Sequence, residues 1–551
     1  MTNIKENILQ EIANIVHSET KIEDIKKALH ILINGNYVKY SIDAAIEKYT
    51  TERTYDLSKL NEYKPQRKAT GAYYTPEDVA TYIIYNAIIT KLKPQNDRTY
   101  RKDIAVEELL KNHNSDINSV IKKMTFFDPT CGAGQFLLDV AKVKIELLNK
   151  SQSYNSSKDI LDIAKTIFGN DIDDIAIDIT KIRLFAELKE HLSKLKYAEN
   201  LIKLAEIISK QFFIKDFVDY NKSIEKQFDI IVGNPPYIEY SKYYKEKKTT
   251  LSYGNVYANV IQHSIDCLVK DGVLGLVIPL SYTSTARMQH IRNFVISHTE
   301  QQVLLNFADR PDCLFQGVHQ KLNILIAKKG KSEHKLYTSN YKHWYSTERQ
   351  HLLNGCEIHR CLANQKTFLP KIGNGIEESI YEKISTETIN NIFDSQSTND
   401  KVDVFLNMRA CFWIKAFSTK HISNEYKMFT YEKSIADFVI CLLNSSLYWV
   451  YWTIVSDCWH LTTKELKGFY LPTKIENLKN FSVLRKQLEV KLDKTKKYVG
   501  TKQTDYEYKH KECIDIIDFI DDELAKVYKL TKKELDYVKS FARKYRLGGG
   551  E

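Results

Sequence analysis

The sequence predicts an α/β protein built on a parallel sheet with helices over both faces, and three stretches carry that reading. "MTFFDPTCGAGQFLLDVAKVKIELL", "IFGNDIDDIAIDITKIRLFAEL" and "GVLGLVIPLSYTS" set short β-branched or aromatic runs beside helical ones. A chain of 551 residues exceeds one typical domain, and its texture divides it into four. Residues 1–62 alternate apolar and charged positions at helical spacing with a single glycine, Gly35, and are expected to form a small helical segment. The strand-and-helix rhythm occupies 63–335. Residues 336–475 are irregular, aromatic and rich in His and Asn, and 476–551 returns to Lys/Glu/Leu helices with one loop near Gly500.

Composition narrows the function classes. Lys+Arg 80 against Asp+Glu 70, with 35 tyrosines, tilts the chain basic and aromatic, which favours a polyanionic partner. Nine scattered cysteines suit free thiols in a reducing cytosol, so a cytoplasmic location is expected. Cys356 and Cys361 flank His359, but no second pair completes a zinc set, and no metal site is expected. The N-terminus lacks the apolar core of a signal peptide. Residues 438–455, "FVICLLNSSLYWVYWTIV", are uncharged and long enough for a membrane span. Asn444-Ser445-Ser446 at the centre and aromatics spread along the run make it a buried helix or helix-turn instead, and no membrane is expected.

Within the α/β portion, "FFDPTCGAGQFLLDVAKV" reads as a strand ending in Asp128, a turn through Gly132 and Gly134, then a helix. Glycines there let a ligand approach the backbone, and the helix N-terminus favours polar or anionic groups. Asp171 ends the next strand, where a carboxylate accepts ribose hydroxyls, and the absence of GxGxxG spacing argues against a dinucleotide. Asp216 and Phe217 in "FFIKDFVDY" end a third strand and suit the edge and face of an adenine ring. Asp173 and Asp174 read as helix-capping acids. In "DIIVGNPPYIEY", Pro235 and Pro236 lock φ and remove two N–H donors after an apolar strand. A free carbonyl and the Asn234 amide oxygen then offer two acceptors to one planar amine, with the Tyr237 ring beside it.

These residues carry a resemblance. "GAYYTP", "DPTCGAGQFL" and "NPPY", in that order, are similar to the motifs of the gamma class of N6-adenine DNA methyltransferases, over about residues 70–330. The resemblance implies a Rossmann-like S-adenosylmethionine-dependent methyltransferase domain followed by a mixed α/β target recognition domain ending in helices. Tyr74, Thr75 and Pro76 would border the methionine moiety of S-adenosylmethionine, and Asp128, Cys131, Gly132 and Gly134 would form the turn around it. Asp171 would bind the ribose, with Ile172 against the adenine, and Asp216 and Phe217 would hold that adenine. Asn234, Pro235, Pro236 and Tyr237 would grip the target base. Phe315, with Phe307 as the alternative, would stack on it, and Tyr73 would lie nearby. The chain departs from compact relatives between about 91 and 123, where the link to the glycine turn is longer.

An adenine inside a duplex must leave the stack before its amino group can be methylated. Lys242, Lys245, Lys247 and Lys248, just past the corner, would reach phosphates flanking it. The expected partners are double-stranded DNA and a separate cognate restriction endonuclease. An RNA or protein-glutamine methyltransferase shares the corner, and a bifunctional restriction enzyme shares the whole set. The GAYYTP motif and the large basic C-terminal region weigh against the former, and the short segment before the catalytic portion weighs against the latter.

Overall fold

Among the described residues, nine strands hydrogen-bond in the order β3-β2-β1-β4-β5-β7-β6-β8-β9. They are β1 (Phe126–Asp128), β2 (Ile167–Asp171), β3 (Phe212–Ile214), β4 (Phe228–Gly233), β5 (Leu268–Pro279), β6 (Thr299–Phe307), β7 (Leu322–Lys329), β8 (Lys335–Lys342) and β9 (His359–Arg360). Pairing is parallel except that β7 and β9 run against their neighbours. The computed structural model describes residues 22–33, 75–92, 108–109, 115–150, 157–219, 224–239, 253–315, 317–362, 367–385, 390–397, 400–421, 423–501 and 504–548.

The predicted parallel sheet is therefore a mixed one, and the connections explain why. Helices carry the chain back from β1 to β2, from β2 to β3 and from β4 to β5, but β6 reaches β7 through a loop at one edge, which forces an antiparallel pair. The sheet also runs past the textural break at residue 335, because β8 joins β6 in parallel and β9 joins β8.

Helices cover the sheet. They are α1 (Ile22–Leu32), α2 (Glu77–Leu92), α3 (Ser115–Lys123), α4 (Gln135–Lys150), α5 (Ser157–Ala164), α6 (Asp174–Lys189), α7 (Tyr197–Ser209), α8 (Val256–Asp266) and α9 (Gln289–His298). From Val79 through Thr90, α2 is buried at every position except half-buried Thr81, so it reads apolar all round, and it packs on β4, β5 and β7. α1 buries Ile25, Leu29 and Leu32 against α7, which gives part of the expected N-terminal helical segment a place in the fold.

Beyond the sheet lie α10 (Gly375–Ile384), an antiparallel sheet of β10 (Lys401–Asn407), β11 (Ala416–Phe417) and β12 (Tyr426–Glu432), then α11 (Lys433–Asn444) and α12 (Ser446–Val455). α11 and α12 are bent by 65° and mostly buried, and among the described residues no single helix is long and apolar enough to cross a membrane. The polar Asn-Ser-Ser break makes the bend. Asn444 Nδ2 donates to the Ala416 and Ile440 carbonyls at 2.8 and 2.9 Å, while Ser445 accepts from Tyr448 N–H at 3.0 Å and caps α12. Asp521, from the tail, accepts from the Leu447 N–H at 3.1 Å. That tail comprises α13 (Leu478–Thr495), α14 (Ile514–Val527), α15 (Lys532–Ser540) and α16 (Arg543–Leu547), with a two-stranded hairpin at the predicted loop near Gly500.

Candidate active site

Topology brings the two sequence signatures together. β1 and β4 are neighbours, with Phe126 opposite Ile230 and Phe127 opposite Ile231. From β1 the sheet grows outward through β2 and β3, then resumes on the other side at β4. A crevice opens at such a switch point, outside the carboxyl ends of the strands. Asp128 ends β1, and Gly233 ends β4 immediately before Asn234. The approach is close: a Cβ on Gly233 would lie 2.7 Å from Asp128 Oδ1.

The two turn glycines do different work. Gly134 has φ +83, and a Cβ there would fall 2.5 Å from Thr180 Cγ2, so it lets α6 pack against the turn. Gly132 has φ +53 and a Cβ there would meet nothing within 4 Å, so its surroundings are open. Its backbone is held at both polar atoms. The N–H donates to Asp171 Oδ2 at 2.8 Å, and the carbonyl accepts from Thr180 Oγ1 at 2.8 Å. Asn170 joins three strand ends, donating to the Pro129 and Lys215 carbonyls at 2.9 and 3.0 Å and accepting from the Lys215 N–H at 3.1 Å. Gly134→Ala is expected to lower stability by about 1–3 kcal/mol, from left-handed strain plus overpacking on Thr180. Thermal denaturation checks it.

Burial governs the charges here. Asp128 is pushed up to about 8 by desolvation, opposed by a bond from the Thr130 N–H and reinforced by the negative charge of Asp171. Asp171 is raised too, chiefly by burial. Burial also lifts the Cys131 thiol well above its ordinary range, which leaves it a packing residue and not a nucleophile. Asp173 accepts from the Ile175 N–H at 3.0 Å and caps α6, as its position predicts.

Ile172 stands 59% exposed beside Asp171, an apolar side chain next to a carboxylate and an open glycine backbone. That set suits a nucleoside with vicinal hydroxyls and a flat ring. Asp216 is half-buried and accepts from the Val218 N–H at 3.1 Å. Phe217 is only 6% exposed, with its ring 5.8 Å from Phe127 and 5.9 Å from His263. Thr75 is buried and Pro76 half-buried at the start of α2. Tyr73 and Tyr74, and Lys242, Lys245, Lys247 and Lys248, lie outside the described residues.

The Asn-Pro-Pro-Tyr corner is buttressed from two sides. Pro235 is buried, whereas Asn234, Pro236 and Tyr237 are half-buried. Tyr237 donates its hydroxyl to the Val277 carbonyl of β5 at 3.0 Å and meets Tyr257 edge-on at 6.4 Å. Val256 N–H donates to the Ile238 carbonyl at 2.9 Å, which ties the segment after the corner to α8. The Tyr237 ring is thereby fixed at its tip and its edge.

Phe315 is 1% exposed, in a tight turn where it bridges Val318, and Phe307 is fully buried against Trp344. Sequence reasoning missed the residue that fastens this turn. Arg349 forks onto Asp78 at 2.8 and 2.9 Å and donates to the Leu314 carbonyl at 2.9 Å, joining α2 to the Phe315 turn. Asn170 and Thr180 were missed as well. Asn170 immediately precedes Asp171, and a polar residue inside an apolar strand was its available signal.

Comparison with known proteins bears on this crevice. Residues 165–313 match the Eco57I restriction-modification methylase family. The matched segment begins just before β2 and takes in Asp171, Asp216 and the whole Asn234–Tyr237 corner. The type II methyltransferase M.BstVI of Geobacillus stearothermophilus is 24% identical over 222 residues, covering 38% of this chain and 37% of that protein. M.VspI of Vibrio sp. (strain 343), also a type II methyltransferase, is 25% identical over 214 residues, covering 38% of this chain and 42% of that one. The type II restriction enzyme and methyltransferase RM.Eco57I of Escherichia coli is 20% identical over 371 residues, 58% of this chain and 37% of its own. The chain thus spans less than half the length of these relatives. Among solved structures, the type IIL restriction-modification enzyme MmeI in complex with DNA aligns with a TM-score of 0.48 at 12% identity, covering 88% of this chain and 80% of that one.

Proposed function

We propose that this chain is a site-specific DNA methyltransferase that transfers a methyl group from S-adenosylmethionine to N6 of an adenine extruded from double-stranded DNA, within a restriction-modification system of the bacterial or archaeal cytoplasm. The observation that carries the proposal is the junction at β1 and β4, where an open glycine turn and a braced Asn-Pro-Pro-Tyr corner share one crevice. The match of residues 165–313 supports the same reading.

S-adenosylmethionine supplies an electrophilic methyl group on a sulfonium. Asp171 would accept the ribose hydroxyls with lone pairs left after Gly132 and Asp173 donate to it, and Ile172 would meet the adenine of the cofactor. Asn234 Oδ1 and the Pro235 carbonyl accept hydrogen bonds from the two N–H groups of the target amine. Its lone pair then localises on nitrogen, and the charge that grows there finds fixed acceptors. One of those protons leaves to solvent once the methyl is on nitrogen. Tyr237 stacks on the extruded ring and offsets part of the cost of extrusion, roughly a few kcal/mol. The resemblance assigns the remaining contacts to Tyr73, Tyr74, Thr75, Pro76, Asp216, Phe217 and Phe315, and phosphate contacts to Lys242, Lys245, Lys247 and Lys248.

Asp128 gives this reading a pH signature. Its carboxyl, held near 8, is largely protonated in the free protein at neutral pH. A sulfonium held beside it would favour the ionised form, so that binding would expel a proton. Cofactor affinity is expected to rise with pH up to about 8 and level off above, by at most about tenfold per unit. Asp128→Asn flattens that profile, as titration calorimetry across the range would register. The sign is opposite for folding: a raised carboxyl stabilises the free protein at low pH, and that contribution is lost as pH climbs toward 8.

The test of the function is incubation with methyl-labelled S-adenosylmethionine and, separately, unmethylated genomic DNA, RNA and protein. Label in DNA supports the proposal, and label confined to RNA or protein refutes it. Likeness to RM.Eco57I favours a second reading, in which the methylase is the modification part of a bifunctional restriction enzyme. DNA cleavage by the same preparation with magnesium would support that reading, whereas a separate cognate endonuclease requires none.

A further inference from the structure

Three of the five tryptophans, Trp344, Trp449 and Trp452, are fully buried, but Trp459 in "SDCWHL" is 37% exposed. Its turn is built so that the ring cannot fold back. Asp457 accepts from the Trp459 and His460 N–H groups at 2.9 and 2.8 Å, and its other oxygen lies 2.8 Å from His460 Nδ1. Cys458 takes φ +56 with its side chain buried, a strained conformation for a residue that is not glycine. Below the turn, Lys371 Nζ donates to the Ile454 and Ser456 carbonyls at 2.9 and 2.7 Å, and Lys464 Nζ to the Val455 carbonyl at 2.7 Å. The Trp459 carbonyl accepts from the Ala410 N–H at 3.1 Å. A large ring is left about one-third exposed on a turn held from several sides.

Where it is held matters. Lys321, at the start of β7, places Nζ 4.2 Å from the Trp459 ring centroid and 3.1 Å from Asp309, which follows β6. The Lys321 carbonyl accepts from the Leu280 N–H at 2.9 Å, just past β5, and the next residue, Ser281, bonds Tyr257 at 3.0 Å. Tyr257 is the residue that meets Tyr237 edge-on. Lys464 also donates to the Ser284 carbonyl at 2.9 Å, pinning the turn to the same edge of the sheet. Trp459 therefore stands at the catalytic edge, coupled to the Asn-Pro-Pro-Tyr corner by a continuous run of contacts. Beside it, Arg409 pairs with His460 through the backbone and with Glu425 through its guanidinium, and both basic side chains are about half exposed.

We propose that Trp459 is a DNA-contacting residue whose indole stacks on the base step opened when the target adenine leaves the duplex, with Arg409 and His460 flanking it toward the phosphates. The inference rests on the methyltransferase reading above. The Lys321 ammonium approaches the ring by cation–π attraction, and the exposed third of the residue is what a partner can reach. Every base offers a π-face, so such a contact tolerates any flanking sequence, and a pre-positioned ring loses little entropy on engaging it.

Trp459→Ala and Trp459→Phe test this against the unmutated protein. Duplex fragments of unmethylated genomic DNA that accept label from the wild-type protein are titrated at low salt by fluorescence anisotropy, and labelled methyl transfer is followed on the same fragments. The expected result is about tenfold weaker DNA binding and a similar rise in the KM for DNA for the alanine variant, with cofactor affinity unchanged and the phenylalanine variant near wild type. Duplex DNA should quench tryptophan emission in the wild type, and that quench should vanish in Trp459→Phe. This readout also decides the matter if the alanine variant fails to fold. Unchanged DNA binding and KM in a folded alanine variant, or a quench that persists in Trp459→Phe, overturns the inference while leaving the methyltransferase reading intact. A wild-type protein that neither binds nor methylates DNA overturns both.

Discussion

Asn234→Ala is expected to lower methyl transfer to DNA by about 10³-fold while cofactor affinity stays within about twofold. The exocyclic nitrogen of adenine is a poor nucleophile because its lone pair is delocalised into the ring. Two fixed acceptors change that by drawing both N–H bonds out of the ring plane, so that the nitrogen becomes pyramidal and its lone pair faces the donor. Alanine removes one acceptor and leaves the Pro235 carbonyl alone. Water entering the gap would reorganise at the moment of reaction, which the half-buried, strand-anchored amide does not need to do. Cofactor affinity is expected to be spared because the contacts proposed for it lie on the β1 and β2 turns, where Gly132 and Asp171 are joined, and not on Asn234. Single-turnover transfer together with calorimetric cofactor binding separates the two effects.

The largest effect on stability is expected far from the crevice, at Arg546. This residue, 4% exposed on α16, inserts its guanidinium between Trp413 and Trp449, 4.1 and 4.4 Å from the two ring centroids. It donates to the Phe412 carbonyl and to Ser446 Oγ, each at 3.1 Å. Burial lowers it to about 9, with Asp521 opposing the shift. Arg546→Ala would leave a cavity between the tryptophans, an unmet carbonyl and a buried Asp521 without its cation. Together these are expected to cost about 3–5 kcal/mol, and lysine should not rescue because a point charge cannot lie flat between two rings. Urea unfolding followed by tryptophan emission measures it directly, since Trp413 and Trp449 report on the site.

Local chemistry was legible in the sequence where one short segment carries the whole feature. The glycine turn, the Asp173 cap and the Asn-Pro-Pro-Tyr corner each need only a few consecutive residues, and the structure puts the first and last side by side. The break at Asn444-Ser445-Ser446 was likewise readable as buried, although its reason was not: Asn444 serves β11 and Asp521 caps α12 from the tail. Features that depend on distant pairing were hidden. Arg349 and Asp78 are 271 positions apart, so neither arginine nor aspartate signals the clamp by itself. The antiparallel β7 follows from a connection that contains no helix, and β8 pairs beyond the textural break with four consecutive buried residues, Leu336 to Ser339, where no period-2 alternation marks a strand. Phe217 and Phe315 show the limit of side-chain type as a guide. An aromatic is equally at home in the core: Phe217 is 6% exposed with its ring 5.8 Å from Phe127, and Phe315 is 1% exposed in its turn.

The central claim is that the β1–β4 crevice methylates the amino nitrogen of an extruded adenine. The direct measurement is mass spectrometry of nucleosides digested from unmethylated genomic DNA after incubation with the protein and S-adenosylmethionine. The account predicts N6-methyldeoxyadenosine as the sole new nucleoside. A product methylated on cytosine, or no methylated nucleoside from a folded protein that binds the cofactor, would contradict it.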